Sequence, residues 1–87
     1  MKVVIINAVW CSGCIVMKKV WKEIVELYPN IETVNLDYDF DEEEVKPFNP
    51  GKILPVAIFF YNDKEVARLN GEKTVNEIKL VLDDMYD

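Results

Sequence analysis

Apolar and polar positions along this 87-residue chain follow two different periods. Val3 to Ile6 is an unbroken β-branched run, the pattern of a strand covered on both faces, and residues 2–8 read as a central strand. Beyond it, Val16, Met17, Val20, Trp21, Ile24, Val25, Leu27 and Tyr28 recur at helical spacing, while Lys18, Lys19, Lys22, Glu23 and Glu26 fill the other side. This predicts an amphipathic helix that ends before Pro29-Asn30, with Met17 and Trp21 in the core. Ile31, Val34 and Leu36 then mark a second strand ending near Asp37, and a helical crossover of this length makes it parallel to the first.

The stretch from Asp37 to Glu44 is the densest charge in the chain. Asp37, Asp39 and Asp41 resemble the opening of a calcium loop, but the sixth position is Glu42 instead of Gly and the twelfth is Phe48 instead of Glu, so a solvated acidic face is expected. Asp41 and Glu44 signal a short helix through Val45 that Pro47 should stop. After the loop Asn49-Pro50-Gly51, Ile53-Leu54-Pro55 leads into a buried strand, Val56 to Tyr61. Asn62-Asp63 offers a two-residue turn into Glu65–Leu69, an antiparallel hairpin at the sheet edge that Asn70-Gly71 ends. Thr74-Val75-Asn76-Glu77 is a capping box, and Val75, Ile78, Val81, Leu82 and Met85 form one stripe on the helix it opens. The order β-α-β-(α)-β-β-α predicts an α/β fold: a four-stranded mixed sheet with helices on both faces.

A chain this long makes one domain, residues 1–87, that buries roughly 60% of its unfolded surface. The net charge of −6 argues against nucleic acid and anionic membranes, and a basic or weakly charged protein surface is the expected partner. No stretch approaches the ~20 apolar residues of a membrane span. The apolar start, Val3 to Val9, is too short for a secretion signal, is broken by Asn7 and runs into the cysteine motif. Two cysteines and no histidine exclude a Cys–His hydrolase and fit a reducing cytoplasm. A closed zinc site takes four ligands, so metal would need two chains sharing their cysteine pairs, or carboxylates.

Trp10-Cys11-Ser12-Gly13-Cys14 lies where the first strand ends and the helix begins. Two cysteines three apart across a first helical turn can join with little backbone movement. Cys11, at the helix start, meets unsatisfied N–H groups and the positive end of the dipole, so it is expected to be the more readily ionised thiol. It would attack a disulfide and Cys14 would resolve the mixed disulfide. A static bond closing so short a loop would be a poor staple.

A Trp-Cys-x-x-Cys after a strand, an X-Pro opening the third strand, a hairpin, a Gly and a terminal helix together resemble the thioredoxin family over nearly the whole chain. The likeness is to a minimal thioredoxin of glutaredoxin size. It implies a protein-disulfide reductase with Cys11 as nucleophile, Cys14 as resolving thiol, Trp10 on the target-facing surface and Pro55 as a cis-proline. Leu54 would offer its backbone to an extended substrate, with Ile53, Leu54 and Gly71 as an apolar rim. It further implies no cofactor beyond the Cys11-Cys14 disulfide, no metal, disulfide-containing protein substrates, a thioredoxin-reductase-type electron donor and a monomer. Several positions depart from the family pattern. Ser12-Gly13 replaces Gly-Pro, so the reduction potential cannot be inherited. The family's buried acid matches Ile5 and its lysine companion Thr33, so a proton leaving Cys14 must use water, another carboxylate or the substrate. The family's helix proline matches Lys19, which predicts a straighter helix. Two alternatives keep the fold: a glutathione-driven enzyme, which lacks support from a C-P-Y-C motif or a double glycine, and a non-catalytic adaptor docking through residues 37–44.

Overall fold

The computed structural model describes residues 1–86, so of the span read as one domain only Asp87 lies outside the described residues. The elements are β1 (Lys2–Asn7), α1 (Ser12–Leu27), β2 (Glu32–Asp37), α2 (Glu42–Val45), β3 (Val56–Tyr61), β4 (Lys64–Asn70) and α3 (Val75–Tyr86). The sheet order is β2-β1-β3-β4, with β1 parallel to β2 and the other two pairings antiparallel.

Alternation along β1 divides the core into two layers. Val3 and Ile5 face Met17, Trp21 and Ile24 of α1 and Ile78 and Leu82 of α3, together with Ala57 and Phe59. Val4 and Ile6 face the opposite way, against Val56, Ile58 and Val45 of α2, with Phe48 and Leu54 packed on that cluster. Both faces of β1 are therefore dry, which is why its sequence shows no polar alternation. Tyr28 Oη donates to Asp83 Oδ1 at 2.6 Å, tying the end of α1 to α3.

The α1 stripe is narrower than the apolar spacing suggested. Cys14, Met17, Trp21 and Ile24 are its buried residues, whereas Val16, Val25 and Leu27 are exposed. A helix on a sheet buries one band about 100° wide, and these three lie off it. The helix runs unbroken through Lys19. The α-helix α2 ends at Val45 as expected before Pro47, but the chain does not leave helical geometry there: Pro47 sits at the start of a 3₁₀ turn, Lys46–Phe48. At such a position its missing N–H forfeits nothing.

Asn62 and Asp63 adopt left-handed conformations, φ 52° and 63°, as the tight hairpin turn demands. A register shift between Phe59 and Phe60 leaves Val66 as the extra residue of β4, half exposed on the edge strand. Thr74 Oγ1 caps α3 by accepting from the Glu77 amide at 3.2 Å. Among the described residues no helix is long and apolar enough to cross a membrane.

Candidate active site

The pairing registers bring four chain segments to one end of the sheet. Asn7 closes β1 opposite Asp37, the last residue of β2, while Ile6 faces Val56, the first residue of β3, and Val56 faces Asn70, the last of β4. Residues 8–14, 37–41, 53–55 and 71–73 therefore converge on one rim. Parallel strands leave their carboxyl ends open in this way, and sites gather there.

Cys11 is the N-cap of α1, with φ −96° and ψ 107°, and its Sγ accepts from the Cys14 amide at 3.2 Å. A sulfur thus takes the place that a Ser or Asp oxygen holds in an ordinary cap, and the same bond stabilises negative charge on it. Both cysteines are free thiols and both are buried, Cys11 at 8% exposure and Cys14 at 4%. Burial, then the hydrogen bond to Cys11, then the negative charges of Cys11 and Asp37 push the Cys14 thiol up to about 12, against an opposing pull from the Ala8 backbone. At neutral pH Cys14 is a protonated thiol. Ala8 and both sulfurs form a small cluster of their own, with Tyr38 and Leu54 packed on it.

The Leu54–Pro55 bond is cis, and Pro55 is buried with its carbonyl accepting from the Gly71 amide at 2.8 Å. Gly71 has φ +84°, and a Cβ there would lie 3.4 Å from Ile53 Cγ2, so these two residues are neighbours on the rim. The residues read as an apolar rim separate into two kinds: Ile53 is exposed, while Leu54 is half-buried against the sulfurs. Trp10 stands out at 61% exposure, edge-on to Tyr38, with its Nε1 donating to Asp39 Oδ2 at 2.7 Å.

The acidic stretch is not uniformly a solvated face. Asp37 Oδ1 accepts from the amides of Asp39 and Phe40, each at 2.9 Å, and Asp41 Oδ2 accepts from the Asp37 amide at 2.8 Å. Three carboxylates thereby fold the turn after β2 and hold Trp10, and Asp41 is an N-cap without a side-chain capping bond because its carboxylate is spent on Asp37. Glu42, Glu43 and Glu44 are exposed, as is Asp39. Among the described residues no group of three or more His, Cys, Asp or Glu could hold a metal ion.

Asp39 entered the sequence reading only as part of an acidic face, and Glu72 had no role in it. A Cβ on Gly13 would come within 3.0 Å of Glu72 Cγ, so Glu72 lies directly over the loop between the cysteines. The available signal was topological: residues just past β2 and β4 must end beside those just past β1.

The Thioredoxin family model matches residues 1–84. The chain is similar to a thioredoxin of Ophiophagus hannah, 31% identical over 80 residues, covering 88% of this chain and 75% of that protein. It is also similar to Thioredoxin-1 of Saccharomyces cerevisiae, 31% identical over 72 residues, covering 80% of this chain and 69% of that one. Among solved structures, a Nicotiana alata thioredoxin superposes with a TM-score of 0.84 at 27% identity, over 94% of this chain and 70% of that one.

Proposed function

The chain belongs to the thioredoxin family and is a thiol–disulfide oxidoreductase acting on protein disulfides, and from that premise we propose that Cys11 is its attacking thiolate and Cys14 its resolving thiol. Cys11 sulfur bonds to one substrate sulfur and the other leaves as a thiolate. Cys14, once deprotonated, attacks the Cys11 sulfur, so that the Cys11–Cys14 bond forms and the second substrate thiolate departs. Two electrons have passed to the substrate, and a thioredoxin-reductase-type donor returns them. The observation that carries this reading is the 3.2 Å bond from the Cys14 amide to Cys11 Sγ, a charge-stabilising contact built into the first turn of α1.

Around that sulfur the proposal assigns Trp10 and Ile53 as contact surface, and Leu54, Pro55 and Gly71 as the backbone shelf on which an extended substrate segment lies. Main-chain pairing of this kind binds without strict sequence preference. The proposal also makes the chain a monomer of a reducing cytoplasm with no prosthetic group, a reading that rests on its charge and two-cysteine composition.

Dithiothreitol-driven reduction of insulin disulfides tests this. Wild-type protein accelerates the reaction and Cys11→Ser abolishes the acceleration. Equal rates for the two would overturn the assignment, and turnover that requires glutathione would move the donor to a glutathione system.

A further inference from the structure

Cys14 presents a chemical problem that the family's usual solution does not address in this chain. It must lose a proton to resolve the mixed disulfide, yet it is buried and its thiol is pushed up to about 12. The position of the family's buried acid is Ile5, itself 2% exposed and packed among Met17, Trp21 and Ile24. Among the described residues the one carboxylate lining the groove on that side is Glu26, twelve residues along α1 from Cys14 and so roughly 18 Å of helix rise away.

On the other side, Cys14 lines a groove of about 410 Å³ whose wall includes Asn7, Lys18, Asn35, Asp37 and Asp41. Both carboxylates have one oxygen engaged, Asp41 Oδ2 with the Asp37 amide, but of the two it is Asp37 whose charge acts on the Cys14 thiol. Asp37 is fixed differently: two backbone N–H groups grip Oδ1, and among the described residues nothing donates to Oδ2. That grip sets the orientation of the carboxylate and leaves one oxygen for the groove. Lys18, one turn along α1 from Cys14, lines the same groove and an adjoining one that also holds Lys22, Glu26 and Trp21. Trp21 Nε1–H is buried without a protein partner, a group that water ordinarily satisfies. The space beside Cys14 is thus roomy and supplied with donors and acceptors.

We propose that the Asp37 carboxylate, acting through one groove water, accepts the Cys14 proton as the mixed disulfide is resolved. This inference rests on the reading of Cys11 as nucleophile and Cys14 as resolving thiol. In the step, the Cys14 S–H proton passes to water and the water's proton to Asp37 Oδ2. Cys14 sulfur then bonds to Cys11 sulfur, the Cys11–substrate bond breaks, and the departing thiolate collects a proton from Asp37 or solvent. The charged groups facing Cys14 are Cys11, Lys18, Asp37 and Asp41, with Lys22 and Glu26 in the adjoining groove. Lys18 would hold the water and favour the nascent thiolate.

The test is single-turnover reaction of the pre-reduced chain with dithiodipyridine, a neutral disulfide. Attack by Cys11 releases one thiopyridone, and resolution by Cys14 releases the second. In Asp37→Asn, which keeps the Oδ1 acceptor, the first phase should stay within about threefold and the second should slow about tenfold or more. Its rate should then climb with pH throughout, as the Cys14 thiolate fraction does, where wild type shows a plateau across neutral pH. Asp37→Glu should recover most of the rate. A purely electrostatic Asp37 has the opposite signature: removing its charge eases Cys14 ionisation, so an unchanged or faster second phase in Asp37→Asn overturns the proposal while leaving both cysteine roles intact. Absence of the first phase in wild type overturns the cysteine reading itself. If Asp37→Asn fails to fold, the wild-type profile and Asp37→Glu decide, and a second phase without a plateau overturns the proposal.

Discussion

Raising the pH should unfold the reduced protein partly through a single thiol. Folding lifts Cys14 from its ordinary 9.0 to about 12, chiefly by burial and by its hydrogen bond to Cys11. The folded chain therefore holds this proton more tightly than the unfolded chain does. The stability so conferred is complete below pH ~9 and is lost as pH climbs toward ~12. At about 1.4 kcal/mol per pKa unit, the whole contribution is about 4 kcal/mol, and by pH ~10.5 about 2 kcal/mol of it has gone. Lysines and tyrosines titrate in the same window, so the comparison is with Cys14→Ala, which carries every other titrating group. Both proteins, kept reduced, are unfolded in urea at pH ~7 and pH ~10.5. Wild type should lose about 2 kcal/mol more than Cys14→Ala between the two conditions. Parallel losses would refute the reasoning and place the Cys14 thiol in a watery environment, at odds with its 4% exposure.

Three further outcomes follow from particular contacts. Asp39→Ala releases the Trp10 indole from its 2.7 Å bond; the pair is exposed, so stability should fall by no more than about 1 kcal/mol while the KM for insulin rises several-fold, and an unchanged KM would remove Trp10 from the contact surface. Phe59→Ala removes a fully buried ring tilted against Trp21 and should cost about 3–5 kcal/mol by urea denaturation, against a total of about twice that for a domain of this size. Gly71→Ala forces a side chain into φ +84° with its Cβ 3.4 Å from Ile53 Cγ2, and should lower the urea-measured stability by about 1–2 kcal/mol.

Most of the architecture was legible because each local signal agreed with the fold. The β-branched run of Val3–Ile6, the Asn62-Asp63 turn and the Thr74 cap each specify one conformation, and each occurs where the sequence places it. Val16, Val25 and Leu27 misled because periodicity reports which residues are apolar, whereas burial depends on where the helix axis rests on the sheet. Cys11, Cys14, Trp10 and Pro55 were legible as a local motif and an X-Pro. The Trp10–Asp39 bond spans 29 residues and has no local signature. Asp37, Asp39 and Asp41 share a composition with any solvated acidic loop, and only the parallel register of β1 and β2 turns that loop toward the thiols.

An apolar residue at Ile5 is in keeping with the rest of this core. Among the described residues every buried side chain is apolar or a thiol, and none is polar or charged. A carboxyl placed in this core would exchange an apolar contact for a desolvation cost of a few kcal/mol, a large fraction of what a domain of 87 residues commands. Here the ionisable groups stand at the strand ends, where water and backbone amides solvate them: Asp37 at the end of β2 with two N–H donors on one oxygen, Lys18 on the exposed flank of α1. The sheet register then returns them to the edge of the site, since the carboxyl ends of β1 and β2 are level. Under this arrangement proton transfer is exposed to solvent, and the resolving step, more than the attack by Cys11, should carry the pH dependence of turnover.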